Sequence, residues 1–393
     1  MENAEEIFDI SESEITVSEL ALWDKNSYVL VDVRDELSYA YGHLPDAIHI
    51  PLEQLAGRVS ELSGSKVVVY CKKGETSVEA VRLLRAEGRE AYNLKGGYIA
   101  WLMAVVSQEQ KDDKKDTFYL EVEQSIRKRF HKKIWTKFTR AINDYELVKE
   151  GDKIAVCISG GKDSMLMAKL FQELKRHNKF DFDVRFLVMD PGYSPENRKV
   201  IENNARKLNI PITIFESDIF ESVFHVEKSP CYLCARMRRG YLYSKAKELG
   251  CNKIALGHHY DDVIETILMG MLYGGQMQTM MPKLHSTNFE GMELIRPLYL
   301  IRECDIKAWR DANHLQFIQC ACKFTDTCSS CQDDGQSNSK RLEVKKLIQE
   351  LKRTNPFVES NIFKSVENVN LSTVIAYKKD GIKHHFLEDY DAL

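Results

Sequence analysis

The sequence of 393 residues lacks any apolar run near the ~18 residues that a membrane-spanning helix needs, so no transmembrane segment is predicted. Its amino-terminal end also lacks the basic and then apolar order of a secretory signal, and a cytoplasmic location is therefore expected. With 44% hydrophobic and 29% charged residues, the composition excludes collagen-like and disordered chains. At roughly 100–200 residues per domain, the length predicts two or three domains.

The charge is unevenly distributed along the chain. Residues 1–106 contain 10 Lys and Arg against 18 Asp and Glu, a net charge of −8. Because the whole chain has a net charge of −4, residues 107–393 have a net charge of +4. The sign changes in a polar run without apolar periodicity, which is typical of a linker. We therefore predict a first domain over 1–106, a linker over 107–117, a second domain over 118–372 and a tail over 373–393.

A basic segment follows this linker. Residues 125–140 include seven Lys and Arg and no acidic residue, and apolar residues recur among them at every fourth position. This pattern predicts one amphipathic helix with a basic outer face. Such a face is either simply solvated or binds nucleic-acid phosphates.

The first domain alternates strand and helix patterns. β-branched runs at 28–33 and 66–70 predict strands, a helical pattern follows at 78–86, and this alternation predicts a parallel sheet with helices on both faces. Cys71 comes directly after the second run, ahead of the helix. Backbone N–H groups and a helix N-terminus there favour a thiolate or persulfide anion.

Residues 15–106 resemble the single-domain rhodanese family. The resemblance rests on segments 32–34 and 42–45, the six-residue loop after Cys71, and Gly96, Gly97 and Trp101. It implies that Cys71 carries transferable sulfur as a persulfide. Thr76 stands where many members have Arg and Asp46 where Gly is usual, so the donor, a cysteine desulfurase or thiosulfate, stays open. The alternative is a rhodanese fold used only for docking.

The second domain begins with a predicted anion cradle. The strand 153–158 leads into Ser-Gly-Gly-Lys-Asp-Ser at 159–164 and then into an apolar helix, and the glycines let a phosphate approach the helix N-terminus. The spacing is not that of a Walker loop. The segment resembles the PP-loop family, with its doubly wound α/β fold of the adenine nucleotide alpha hydrolase type. That resemblance implies that the loop binds ATP, from which AMP is transferred and pyrophosphate released. The loop residues are Ser159, Gly160, Gly161, Lys162, Asp163 and Ser164.

Further polar residues follow the next predicted strands. Asp190 ends one strand, and Gly257 and His258 follow another, at the edge where doubly wound sheets bind ligands. The adjacent Asp261 and Asp262 are candidates for holding Mg²⁺ beside the phosphates, with Asp163 as a third catalytic carboxylate. Zinc binding by the histidine pair is the alternative, but a second pair at suitable spacing is missing.

Ten cysteines in a chain without a signal indicate metal, redox or sulfur chemistry. Cys231 and Cys234 are close enough to bind one metal, and four more cysteines lie between 320 and 331. Spacing alone does not exclude a zinc site. Three other cysteines lie in apolar surroundings and are expected to be small buried residues: Cys157, Cys251 and Cys304.

From 118 to 372 the chain resembles the tRNA 2-thiocytidine synthetase family of PP-loop enzymes. The resemblance rests on segments 159–164, 231–240, 255–262, 273–275, 282–284 and 296–298. It implies a 4Fe-4S cluster held by three cysteines with one open iron. Cys231 and Cys234 carry over as two ligands, and Cys322 best matches the third. Cys331 is its main rival, and Cys320 and Cys328 also compete for this position. The surplus cysteines either bind a separate zinc or are structural.

These parts together predict an ATP-dependent sulfurtransferase. ATP would activate the C2 oxygen of a tRNA cytidine, and sulfide on the open iron, reloaded from Cys71, would replace it. The partners expected are tRNA, a sulfur donor and a second copy in a homodimer, with RNA phosphates held near Arg236, Arg238 and Arg239. The alternative is a small nucleobase or metabolite as substrate.

Overall fold

The structure is a computed structural model, and it describes residues 13–64, 66–111, 117–177, 180–217, 219, 230–318, 340–388 and 390. Its two larger sheets are each built from one part of the chain, and helices connect their strands. The predicted α/β class is confirmed.

The first sheet has five parallel strands in the order β1-β5-β4-β2-β3. The central strand, β4, is buried from Val67 to Tyr70, because neighbouring elements cover both faces of a parallel sheet. The two predicted strands are confirmed as the neighbours β2 and β4. The strands are β1 (Glu14–Ile15), β2 (Tyr28–Asp32), β3 (Ile48–His49), β4 (Lys66–Tyr70) and β5 (Glu90–Leu94).

Within the described residues, five helices accompany this sheet. They are α1 (Val17–Leu20), α2 (Glu36–Tyr41), α3 (Leu52–Arg58), which a 3₁₀ turn (Val59–Glu61) extends, α4 (Ser77–Ala86) and α5 (Gly97–Lys111). The helix predicted after Cys71 is α4. Helix α5 continues to Lys111, so the first part of the predicted linker is helical and not extended chain. Residues 112–116 of that linker lie outside the described residues.

The second sheet has six strands in the order β10-β11-β9-β6-β7-β8. All neighbours are parallel except β10 and β11. Strand β6 lies between β7 and β9, so the strand order reverses there, and its carboxyl end is the switch point at which such sheets bind ligands. The strands are β6 (Lys153–Ile158), β7 (Asp183–Asp190), β8 (Ile212–Glu216), β9 (Lys253–Ala255), β10 (Lys283–His285) and β11 (Glu293–Ile295).

Nine helices accompany the second sheet within the described part of the chain. They are α6 (Phe118–Arg127), α7 (Thr136–Asp144), α8 (Lys162–His177), α9 (Pro195–Lys207), α10 (Pro230–Glu248), α11 (Tyr260–Gly274), α12 (Glu303–Ala312), α13 (Lys340–Thr354) and α14 (Val358–Ser365). Their core is continuous with that of the first sheet, because Leu102 and Val106 of α5 belong to the same hydrophobic cluster as Ile201 of α9.

The basic segment 125–140 is not the single helix that its pattern predicts. Helix α6 ends at Arg127, a π-helical turn covers His131–Trp135, and α7 starts a new helix at Thr136. The four apolar residues of the pattern are nevertheless buried, as predicted: Ile126, Phe130, Ile134 and Phe138. The segment forms two helices and not one, because the wider π turn between them keeps the four-residue spacing of the apolar side chains without a continuous α-helix.

The basic side chains of this segment fall into two groups. Arg127 Nη2 lies 2.7 Å from Glu173, and Lys133 and Lys137 lie 3.7 and 3.2 Å from Asp305. Arg140 lies 3.7 Å from Asp144, so these four pair with acidic residues of the fold. Another three are exposed and have no acidic partner among the described residues: Lys128, Arg129 and Lys132.

The predicted tail over 373–393 contains regular structure. After a 3₁₀ turn (Leu371–Thr373), strands β12 (Ala376–Lys379) and β13 (Ile382–His385) form an antiparallel hairpin, and a second 3₁₀ turn (Phe386–Glu388) follows. Across the described residues, none of the helices combines the length and the apolar character needed to cross a membrane.

Candidate functional site

The 159–164 loop connects β6 to α8 at the switch point of the second sheet. Gly160 has a φ of +86°, and a Cβ there would lie 2.6 Å from Cγ1 of Ile201, so only glycine fits. The Ser159 N–H donates to Oγ of Ser164 at 3.2 Å, and that hydroxyl donates to the Gly161 carbonyl at 3.0 Å. The loop is therefore braced from within at a helix N-terminus, as an anion cradle requires.

Lys162 is the cation of this loop, and it is 3% exposed. Its Nζ lies 3.1 Å from Oδ2 of Asp163 and 3.3 Å from Oε1 of Glu303, on α12. Burial alone would lower the pKa of Lys162, but these two carboxylates outweigh it and raise that pKa. Lys162 therefore stays charged. Glu303 was not predicted from the sequence.

His259 brings the predicted carboxylates together. Its Nε2 lies 3.9 Å from Oδ1 of Asp163, and its Nδ1 lies 3.9 Å from Asp261 and 3.5 Å from Asp262. Its own N–H donates to Oδ2 of Asp262 at 2.9 Å, which caps the start of α11. A Cβ on Gly257 would lie 3.3 Å from the Ser164 nitrogen, so the backbones of the two segments also touch.

The two adjacent carboxylates each bind an arginine. Asp261 accepts from Arg302 at 3.2 Å, and Asp262 accepts from Arg341 at 2.9 Å. Burial would raise the pKa of Asp262, but its interactions with His259, His258 and Arg341 together lower it, so the carboxylate stays ionised. In the described ranges, no group of three or more His, Cys, Asp or Glu side chains is arranged to hold a metal ion. The Mg²⁺ site at Asp261 and Asp262 stays a prediction.

Two other predicted residues differ in their surroundings. Burial lowers the pKa of His258 to about 4, so its imidazole is neutral, and its Nδ1 has no hydrogen-bond partner among the described residues. Asp190 instead accepts from the N–H groups of Gly192 and Tyr193 at 2.9 and 2.6 Å. Its other oxygen lies 3.0 Å from Arg198, so Asp190 organises the turn after β7.

Cys71 occupies the predicted position between β4 and α4. Its Sγ accepts from the Gly74 N–H at 3.2 Å and from the Ser77 hydroxyl at 3.3 Å. A Cβ on Gly97 would clash with the Cys71 carbonyl oxygen, so this glycine lets α5 approach the loop. Donors directed at sulfur stabilise an anionic thiolate or persulfide.

The other cysteines divide into three groups. Cys231 and Cys234 both lie in the first turn of α10, where Cys234 is half-buried and contacts two hydrophobic clusters. Cys157 and Cys251 are buried as predicted, but Cys304 is exposed near the start of α12, so its prediction was wrong. The remaining four lie outside the described residues: Cys320, Cys322, Cys328 and Cys331.

Comparison with known proteins identifies the family. The sequence matches the PP-loop domain model over residues 130–323 and the rhodanese-like domain model over residues 17–104. A tRNA-cytidine(32) 2-sulfurtransferase from Anaeromyxobacter dehalogenans (strain 2CP-C) is 36% identical over 244 residues, covering 61% of this chain and 80% of the relative. The chain belongs to the tRNA-cytidine(32) 2-sulfurtransferase family. A second member, from Ralstonia pickettii (strain 12J), is 38% identical over 249 residues, covering 61% of this chain and 74% of the relative.

Solved structures show weaker likeness. The U34-tRNA thiolase NcsA from Methanococcus maripaludis, solved with its [4Fe-4S] cluster, is 21% identical at a TM-score of 0.47, covering 64% of this chain and 78% of its own. A rhodanese-like domain protein from Staphylococcus aureus is 30% identical at a TM-score of 0.22, covering 23% and 90%. Neither likeness is strong enough to bear on the site.

Membership in the tRNA-cytidine(32) 2-sulfurtransferase family confirms the resemblance stated from the sequence. The two domain models confirm a rhodanese-like domain joined to a PP-loop domain, and the family confirms the sulfurtransferase class of enzyme. Two residues near the loop were not predicted as site residues, because they reach it from distant parts of the chain: Tyr41 and Glu303. His259 belongs to the histidine pair noted in the sequence, and the structure places it beside Asp163.

Proposed function

We propose that this chain uses ATP to replace the C2 oxygen of a tRNA cytidine with sulfur. The observation that carries the proposal is the gathering of the 159–164 loop, Lys162 and the carboxylates around His259 at one edge of the sheet. Relatives in the same family are named for sulfur transfer to cytidine 32 of tRNA.

The first half-reaction would be adenylation. The C2 oxygen attacks the α-phosphorus of ATP, an O–P bond forms, and the bond to pyrophosphate breaks. Loop N–H groups and the Lys162 ammonium would offset the charge that develops on the phosphates. Asp163 lies 3.1 Å from Lys162 and would orient it, while Asp261 and Asp262 hold Arg302 and Arg341 at the same edge.

The second half-reaction would be substitution at C2. Sulfur at the oxidation level of sulfide attacks C2, a C–S bond forms, and the C–O bond breaks as AMP leaves. Adenylation is needed because an amide-type oxygen is a poor leaving group, whereas AMP is a good one.

The cysteines of α10 fit an iron–sulfur cluster. Cys231 and Cys234 are three residues apart in the first turn of one helix, and thiolates are the ligands such clusters prefer. With Cys322 as the proposed third ligand, they would hold a 4Fe-4S cluster. When bound, such a cluster supplies an open iron that can take sulfide.

Cys71 would supply the sulfur. Its N–H and O–H donors suit a persulfide, Cys71–S–S⁻. Release of the terminal sulfur as sulfide is a two-electron reduction that returns Cys71 to a thiolate, and an external dithiol would provide the electrons. The rhodanese-like domain is thus proposed as a carrier on the same chain, which raises the effective concentration of sulfur.

The tRNA would lie along basic side chains of the PP-loop domain. Arg236 and Arg239 are exposed on α10, while Nη2 of Arg238 donates to the Tyr193 hydroxyl at 3.0 Å. The exposed Lys128, Arg129 and Lys132 would extend this surface toward the RNA backbone.

The products of ATP test the proposal. With ATP labelled at the α-phosphate, unmodified tRNA and a sulfide source, the chain should release AMP and pyrophosphate in equal amounts. Lys162→Ala should reduce this release at least about 100-fold, the scale for loss of one charge-stabilising group, while Lys247→Ala, at an exposed lysine of α10, should not change it. Release of ADP and phosphate instead would contradict adenylation.

A further inference from the structure

Tyr41 of the rhodanese-like domain lies against the loop of the PP-loop domain. It is the last residue of α2, and its ring centroid lies 5.1 Å from Nζ of Lys162. Its hydroxyl donates to the Ile318 carbonyl at 2.8 Å. The Tyr41 and Ala40 carbonyls both accept from Nη1 of Arg310, on α12. The end of α2 is therefore held against the PP-loop domain by the Tyr41 side chain and by two backbone carbonyls.

This contact fills the space that the loop glycines leave for a phosphate. A Cβ on Gly161 would lie 3.0 Å from the Tyr41 hydroxyl oxygen. A phosphate oxygen bound to a loop N–H must itself come within about 3 Å of that backbone. The phenol ring also covers Lys162, which is 3% exposed and already paired with Asp163 and Glu303. Tyr41 and a phosphate would therefore compete for the same face of the loop.

We infer that seating of the rhodanese-like domain through Tyr41 and binding of ATP phosphates at the 159–164 loop exclude each other. This inference rests on the proposed function, because it takes the loop to be the ATP site. By linkage, ATP weakens the seating of the domain by the same factor by which seating weakens ATP binding. ATP thus releases the rhodanese-like domain from the loop.

The seated arrangement is compatible with loading of Cys71. Within the loop that follows Cys71, the side chains of Lys73, Glu75 and Thr76 are exposed, so this face of the domain is open to a donor. A domain that is loaded while seated, and freed when ATP arrives, would carry sulfur only once the nucleotide site is occupied. The exclusion would therefore place the loading of Cys71 with sulfur before the delivery of that sulfur to the PP-loop domain.

Equilibrium binding of ATP to the full-length chain, without tRNA, tests the exclusion. Tyr41→Ala should tighten ATP binding about 5-fold or more, the lower end of ordinary coupling between sites. Arg310→Lys, which removes the guanidinium fork that holds the two carbonyls, should act in the same direction. Tyr92→Ala serves as the matched control, because Tyr92 lies in β5 of the same domain and packs on Trp23. It should bind ATP as the wild type does.

Hydroxyl-radical footprinting gives a second measurement that does not depend on a variant. ATP should increase oxidation of Tyr41 in the wild-type chain, while the fully buried Tyr70 provides an unchanged reference. Equal ATP affinity in wild type, Tyr41→Ala and Arg310→Lys, with Tyr41 still protected at saturating ATP, would overturn the exclusion and leave the proposed function standing. Equal tightening by Tyr92→Ala would also overturn it. If no variant binds ATP, the proposed function fails and the exclusion with it.

Discussion

The ammonium of Lys162 lies 3.3 Å from the carboxylate of Glu303, which belongs to a different helix. The same carboxylate lies 2.8 Å from Lys345 and 3.4 Å from Lys307. Burial would raise the pKa of Glu303, but these cations, led by Lys162, hold it well below its usual range. An incoming phosphate must therefore compete with Glu303 for the loop lysine.

Glu303→Gln should tighten ATP binding, because it removes this competing charge and leaves the lysines to attract phosphate. We expect a change of about 10-fold, which corresponds to about 1.4 kcal/mol. The free energy of unfolding should fall by about 1–3 kcal/mol, because the buried Lys162 loses a charged partner. Glu343→Gln, at an exposed glutamate of α13, is the control. Unchanged ATP affinity in Glu303→Gln would show that Glu303 does not compete for Lys162.

Gly160→Ala should disable the loop. The substitution combines a strained φ of +86° with a clash against Ile201, so we expect a loss of about 1–3 kcal/mol in the free energy of unfolding. AMP formation should fall at least about 10-fold, because small displacements of a binding loop are costly. Gly250→Ala isolates the strain, since Gly250 has a φ of +72° but no atom within 4 Å of the added Cβ. It should lose stability and keep the activity.

Cys71→Ser should separate sulfur supply from sulfur insertion. With a persulfide donor, thiolation over many turnovers should fall to background, because serine cannot carry the sulfur. With free sulfide in excess, the variant should match the wild type. Cys304→Ser, at an exposed cysteine of the other domain, should behave as wild type with both sources. Equal loss with both sources would remove the carrier role of Cys71, and full activity with the persulfide donor would do the same.

His258 should make stability depend on pH. Its pKa is lowered from an ordinary 6.5 to about 4 by burial, so between these values the unfolded chain binds more protons than the folded one. This stabilising contribution of the neutral His258 is fully present above pH 6.5 and is lost as the pH falls toward 4, by about 3 kcal/mol in all. In urea denaturation at pH 5 and 7, His258→Gln should reduce the difference seen in wild type. The exposed His285→Gln should not, and an unchanged difference in His258→Gln would refute the assignment.

Contiguous features of the site were predictable from the sequence. The strand, the 159–164 loop and the helix are consecutive, so their glycines and Lys162 identify an anion cradle without knowledge of the fold. Cys71 was recognised in the same way, between a strand and a helix. The gathering of Asp163 with Asp261 and Asp262 could be anticipated only because parallel strands end at one edge of a sheet.

The features that the sequence did not predict depend on parts of the chain that are distant in sequence and meet only in the fold. Tyr41 and Glu303 reach Lys162 from separate helices, and neither belongs to a local pattern. The exposure of Cys304 also depends on the fold. The apolar residues around it in the sequence suggest burial, but its position on α12 leaves it exposed. The helix break near Phe130 could not be predicted from the apolar periodicity either, because the π turn keeps all four apolar residues of that pattern buried.

Mass spectrometry of nucleosides from tRNA treated with the purified chain tests the central claim most directly. Unmodified tRNA, ATP and a sulfide source should yield 2-thiocytidine, with one AMP released for each thiolated base. Omission of ATP should abolish the product, and the Gly160→Ala substitution should reduce it at least about 10-fold. ATP-independent thiolation, or the absence of any thiolated cytidine in tRNA when a free nucleobase is thiolated instead, would contradict the account.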